Sequence, residues 1–203
     1  HASNREFIAG LGLNAPSLEG YLFPDTYIFP EESDSRDVIM AAYRRMRTVL
    51  DGLDLPNMKI SGLSLHETLT LASLIEKEAQ IPRERKYISA VFHNRLKRGM
   101  KLDCDPTVRY AARNFKGPIT RSELDSLSPY NTYVHRGLPP TPICSPGKES
   151  ILAAVNPAPV DFLYFVSRND GSHYFSATLN EHNRAVRFYQ RGVKSGFIDR
   201  QKL

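Results

Sequence analysis

The sequence predicts an α+β fold, a mixed helical domain with one small antiparallel sheet in the form of a hairpin, and three observations carry that expectation. Apolar residues recur at helical spacing in the stretches 35–50, 64–79 and 82–98. An aromatic and branched run, Phe162-Leu163-Tyr164-Phe165-Val166, is followed by a turn at Asn169-Asp170-Gly171 and a second run, His173-Tyr174-Phe175-Ser176, that pairs back on it. Strands and helices are segregated along the chain, so nothing suggests the alternation of a parallel doubly wound sheet.

The elements follow in order. Residues 15–30 read as an extended segment, because Pro16, Pro24 and Pro30 lack a backbone donor and push their predecessors out of helical space. A helix from Ser35 to Leu50 puts Val38, Ile39, Ala42, Met46 and Val49 on one side and arginines on the other. The next starts at Ser64, where Ser64-Leu65-His66-Glu67 has the form of a capping box, and runs to Ala79. A third follows Pro82, turns Ile88, Val91, Phe92 and Leu96 inward, and stops at Gly99 after a basic last turn. Residues 100–147 read as loop-rich, with turns set by prolines such as Pro106, Pro129, Pro139 and Pro140. A short helix over Ser150 to Val155 precedes the hairpin, and a last helix spans Asn180 to Arg191. This divides the chain into residues 1–60, an extended segment and helix leading in, and residues 61–203, the main domain.

A chain of 203 residues with 41% apolar content buries a core without disulfides or metal. The net charge of +5 fits an anionic polymer or membrane surface, and equally a solvated basic face; it is too modest to indicate nucleic acid. No apolar run approaches the roughly 20 residues that cross a bilayer, and the start at His1-Ala2 lacks a signal-peptide pattern, as expected of a fragment. Cys104 and Cys144 have no CxxC spacing and the six histidines no HExxH pairing, so no metal is expected. The absence of a P-loop, a GxGxxG and a Ser nucleophile elbow argues against nucleotide cofactors and the commonest hydrolases.

One carboxyl sits in an unusual phase. Leu65, Leu69, Ala72, Ile75 and Ala79 fall on one arc of the 64–79 helix, and Glu76 projects between Leu65 and Leu69, whereas Glu67 and Glu78 project to the side where water solvates them. A carboxyl facing apolar surroundings keeps its proton to higher pH, which suits a general acid at a glycosidic oxygen. The competing reading is a core-edge glutamate paired with an arginine. Tyr110, Tyr130, Tyr133 and Phe175 either line a sugar groove or belong to the core.

The blocks Leu18-Glu19-Gly20-Tyr21-Leu22-Phe23-Pro24-Asp25-Thr26-Tyr27, Ala72-Ser73-Leu74-Ile75-Glu76-Lys77-Glu78, Asn94-Arg95-Leu96 and Asp105-Pro106-Thr107-Val108-Arg109-Tyr110, together with Tyr130-Asn131-Thr132-Tyr133, Gly137-Leu138-Pro139-Pro140-Thr141-Pro142-Ile143, Tyr164-Phe165-Val166 and His182-Asn183, resemble the MltG/YceG-like family of endolytic murein transglycosylases in order and spacing. The resemblance covers residues 17–190 and implies a YceG-like catalytic domain over 61–203, with the end of a LysM-like subdomain at most retained in 1–60. It implies Glu76 as the acid and base that cleaves between N-acetylmuramic acid and N-acetylglucosamine, leaving 1,6-anhydro ends without a cofactor. Asp105, Thr107, Tyr110, Asn131, Thr132 and Tyr133 are the candidates for holding sugar hydroxyl and acetamido groups. The expected partners are peptidoglycan glycan strands and the peptidoglycan synthases, with the parent protein anchored in the plasma membrane by an N-terminal segment absent from this chain and its catalytic domain facing the periplasm or cell exterior. Two rivals stay open: a glycoside hydrolase that pairs Glu76 with Glu19 or Asp105, and a non-catalytic peptidoglycan-binding module in which Glu76 is a member of an ion pair.

Overall fold

The computed structural model describes residues 1–53, 62–193, 197, 199 and 201. Helix α1 (Arg5–Gly10), capped by the Asn4 side chain, and α2 (Ser35–Asp51), opened by a reciprocal Asp34/Asp37 capping box, lie on either side of the extended stretch. The Ser64/Glu67 box opens α3 (Leu65–Glu78) as its sequence requires. A 3-10 turn (Pro82–Glu84) leads into α4 (Arg85–Lys97). Then come α5 (Asp105–Ala112), α6 (Arg121–Leu124) and α7 (Lys148–Val155). Strands β1 (Tyr164–Ser167) and β2 (His173–Ser176) pair antiparallel with Tyr164 opposite Ser176 and Ser167 opposite His173, and α8 (Leu179–Arg191) follows. Among the described residues the architecture is thus the expected helix-rich α+β arrangement with one hairpin.

Three helices were not foreseen. Asp105-Pro106 reads as a turn, but proline also suits the first turn of a helix, where its missing N–H has no intrahelical partner to lose, and α5 uses it there. Helix α6 begins with a Thr120/Glu123 capping box inside the stretch expected to be loop, and α1 is only six residues long.

Among the described residues the core is one buried cluster. Helix α3 gives Leu69, Leu71, Leu74 and Ile75, α4 gives Ile88, Val91 and Phe92, α7 gives Ile151 and Ala154, and β2 gives Phe175. Ile8, Leu18, Tyr21, Tyr43 and Met46 join it from the N-terminal quarter. Residues on both sides of the expected 60/61 division therefore share one core, and the division itself lies outside the described residues. Every residue from Thr68 to Ile75 is buried, so α3 is enclosed on all sides rather than along one stripe. Each large aliphatic side chain there contributes about 1.5–3 kcal/mol of transfer free energy.

Polar side chains lock the parts around α3. Buried Arg95 donates to the carbonyls of Leu163 (2.6 Å) and Leu102 (3.0 Å) and to Asp103 (2.8 Å), and Asn94 donates to the carbonyls of Val160 and Phe162. The Asn94-Arg95-Leu96 block thus ties α4 both to the approach of the hairpin and to the start of α5. Buried Glu84 accepts from the His173 main-chain N–H (3.0 Å) and meets its Nδ1 (2.7 Å), fixing β2 to the 3-10 turn. At Gly20 the backbone is left-handed (φ +86°), and a Cβ there would stand 2.3 Å from Pro142 Cγ, so only glycine lets this segment reach the proline-rich loop.

Candidate active site

The proline-rich loop is what brings chemistry to α3. It lies along the helix: the Pro140 carbonyl meets His66 Nε2 at 2.8 Å, the Ile143 N–H donates to Ser73 Oγ at 3.0 Å, and the Gly147 N–H donates to Glu76 Oε2 at 3.2 Å. Prolines at 139, 140, 142 and 146 hold this path extended. It delivers the N-terminus of α7 to the carboxylate of Glu76, a placement that a helix dipole favours. Ser150, in the first turn of α7 and fully buried, donates its hydroxyl to the same Oε2 at 2.6 Å. Arg85, the first residue of α4, donates Nε–H to Ser150 Oγ at 3.1 Å and brings Nη2 to 3.9 Å from Glu76 Oε1. The Glu76 side chain keeps 32% of its surface exposed, so the carboxyl is both fixed and reachable.

The surroundings of the two glutamates differ from those the helical phase suggests. Glu76 is met by a hydroxyl, an amide and a guanidinium, not by an apolar wall. Glu78, expected in water, is half-buried: desolvation of its carboxyl pushes it up to about 7, assisted by the charge of Asp105 and opposed by a hydrogen bond from Cys104 Sγ at 3.2 Å. The phase argument assumed that α3 has a wet face, and an enclosed helix has none over most of its length.

The six residues expected to hold sugar fall into two groups. Thr107, Asn131 and Thr132 are buried. Thr107 Oγ1 donates to the Cys104 carbonyl (2.7 Å) and shares a hydrogen bond with Thr132 Oγ1 (2.9 Å), Thr132 accepts from the Cys104 N–H (3.0 Å), and Asn131 donates to the carbonyls of Leu124 and Ser126. Their polar atoms already bind the 123–133 segment to α5, which makes them scaffold for their neighbours. Asp105, Tyr110 and Tyr133 remain accessible: Tyr133 donates to Asp105 Oδ1 at 2.6 Å, and Tyr110 donates to Glu19 Oε2 at 2.7 Å with its ring 4.9 Å from that of Tyr130. Burial and the neighbouring carboxylate raise both phenols. Among the described residues no hydrogen bond joins any of the six to Glu76; the link to α3 runs from Thr132 through Cys104 to Glu78. Sequence reasoning missed Arg85, Gly147 and Ser150. The Pro146-Gly147 step immediately before a helical pattern was the available signal for a helix N-terminus aimed at an anion. Among the described residues no cluster of His, Cys, Asp or Glu could hold a metal, and no helix is long and apolar enough to cross a membrane.

The chain matches the model of the YceG-like family over residues 2–188. It is 43% identical over 173 residues to the endolytic murein transglycosylase of Bacillus subtilis (strain 168), covering 85% of this chain and 48% of that protein. It is 36% identical over 175 residues to the protein of the same description from Streptococcus pneumoniae (strain R6), covering 83% and 32%. A crystal structure of a YceG-like protein from Listeria monocytogenes superposes with a TM-score of 0.81 at 36% identity, covering 91% of this chain and 65% of that one. The chain therefore spans about half the length of the Bacillus relative and about a third of the pneumococcal one.

Proposed function

The chain belongs to the YceG-like family, and on that premise we propose that it is the catalytic part of an endolytic murein transglycosylase with Glu76 as its acid and base. The observation that carries the reading is the Glu76 carboxyl itself: accessible at the end of an enclosed helix, held at Oε2 by two donors, with Oε1 free of any hydrogen bond among the described residues and 3.9 Å from Arg85 Nη2. The relatives' description as endolytic murein transglycosylases supplies the substrate class.

In this reaction the protonated Glu76 gives its proton to the oxygen between N-acetylmuramic acid and N-acetylglucosamine as the bond to C1 breaks. The ionised carboxylate then takes the proton from the muramic 6-hydroxyl while that oxygen closes onto C1. No water is consumed, and the product is a 1,6-anhydro-muramoyl end. Asp105, Tyr110 and Tyr133 offer hydrogen-bonding groups beside flat ring faces, which suits sugar recognition. Cleavage inside nascent strands sets glycan length beside the synthases, with the parent protein held at the plasma membrane and this domain facing the periplasm or exterior. The Arg85 approach to Glu76 also suits the ion-pair role of a binding module. The two part in one experiment: purified glycan strands are shortened by the parent chain and left intact by Glu76→Gln, whereas a binding module retains strands without shortening them.

A further inference from the structure

Ser150 has one proton to give, and the structure dictates where it goes. Its Oγ accepts from Arg85 Nε at 3.1 Å, and a guanidinium is only ever a donor. A serine in the first turns of a helix can otherwise turn its hydroxyl toward backbone carbonyls. Here Arg85 occupies a lone pair and Ser150 is fully buried, so the hydroxyl proton is directed onto Glu76 Oε2 at 2.6 Å, in the short range of a hydrogen bond to a carboxylate. Oε2 also accepts the Gly147 N–H at 3.2 Å, whereas among the described residues Oε1 meets only Arg85 Nη2 at 3.9 Å, beyond hydrogen-bond reach, so a proton on Glu76 resides on Oε1.

We propose that Arg85 and Ser150 are positioning residues of the reaction, Arg85 by aligning the Ser150 hydroxyl and Ser150 by reserving Oε2 so that Oε1 carries and delivers the catalytic proton. The proposal rests on the acid and base role of Glu76 given above. Neither residue needs to touch substrate, and the Ser150 hydroxyl joins three elements, α3, α4 and α7. A carboxyl freed from this clamp samples rotamers in which neither oxygen faces the scissile bond, and a misplacement of about 1 Å costs on the order of 100-fold in rate.

The test is a kinetic cycle on glycan strands with Ser150→Ala, Arg85→Ala and the double variant, with melting temperatures confirming folding. Ser150→Ala is expected to lower kcat about 10- to 100-fold with KM unchanged. In the Arg85→Ala background the same substitution is expected to cost less than about threefold, because the aligned hydroxyl it removes is already lost. Equal losses in the two backgrounds, or a loss confined to KM, overturn the proposal. A parent chain that leaves glycan intact overturns the activity instead, and crystal structures of the parent and Ser150→Ala then decide the positioning without turnover. Glu76 is expected to swing out of hydrogen-bond reach of the Gly147 amide in the variant, and a carboxylate that stays on that amide refutes the clamp.

Discussion

Glu78 Oε1 lies 3.2 Å from the thiol of Cys104, two residues along α3 from Glu76 and on a different side of the helix. Burial holds this carboxyl protonated up to about 7, against an ordinary value of 4.5. A carboxyl that titrates higher in the folded chain than in the unfolded one favours the fold in full below the unfolded value, and that advantage is lost as pH rises to the folded value. The parent should therefore lose stability relative to Glu78→Gln between pH 4.5 and 7 by on the order of 1–3 kcal/mol. Denaturant unfolding of both proteins across that range checks it. Parallel pH profiles would show that Glu78 is solvated after all.

The two thiols should be inert in the folded chain. Burial raises Cys104 well above the usual thiol range, with the Glu78 charge adding to it, and burial pushes Cys144 up to about 12. At pH 8 the nucleophilic thiolate is then scarce at both positions. Alkylation should be negligible in native buffer and reach both cysteines in denaturant. Rapid modification of Cys144 without denaturant would contradict this.

The buried and accessible members of the expected sugar-holding set should separate in mutation. Thr132→Ala removes the acceptor of the Cys104 N–H and a partner of Thr107, all out of water, and should cost about 1–3 kcal/mol of stability. Tyr133→Phe loses only a partly exposed hydrogen bond to Asp105 and should leave the melting temperature nearly unchanged while raising KM for glycan. Thermal denaturation beside steady-state kinetics distinguishes them. An unchanged KM would remove Tyr133 from the substrate-binding set.

What the sequence made legible was local. The start of α3 follows from Ser64 and Glu67, three residues apart, and the hairpin from two aromatic runs around Asn169-Asp170-Gly171. Helix α5 was hidden because Pro106 carries the same letter in a turn and in a first helical turn. The phase of Glu76 singled out a residue that proves to be clamped by specific partners, but the reason attached to that phase, an apolar face opposed to a wet one, does not hold for a helix enclosed from Thr68 to Ile75. The clamp itself could not be read: Gly147 and Ser150 stand 71 and 74 residues from Glu76, and only the folded path of the proline-rich loop brings them together.

The chemistry at Glu76 is tested most directly by digesting purified glycan strands in oxygen-18 water and weighing the new ends. If the muramic 6-hydroxyl closes onto C1 under Glu76, the ends are 1,6-anhydro-muramoyl, lighter than reducing ends by one water, and carry no label, because the attacking group belongs to the substrate. Reducing ends that carry one labelled oxygen would mean that water attacks C1, as in a hydrolase with a second carboxylate, and would contradict the transglycosylase reading.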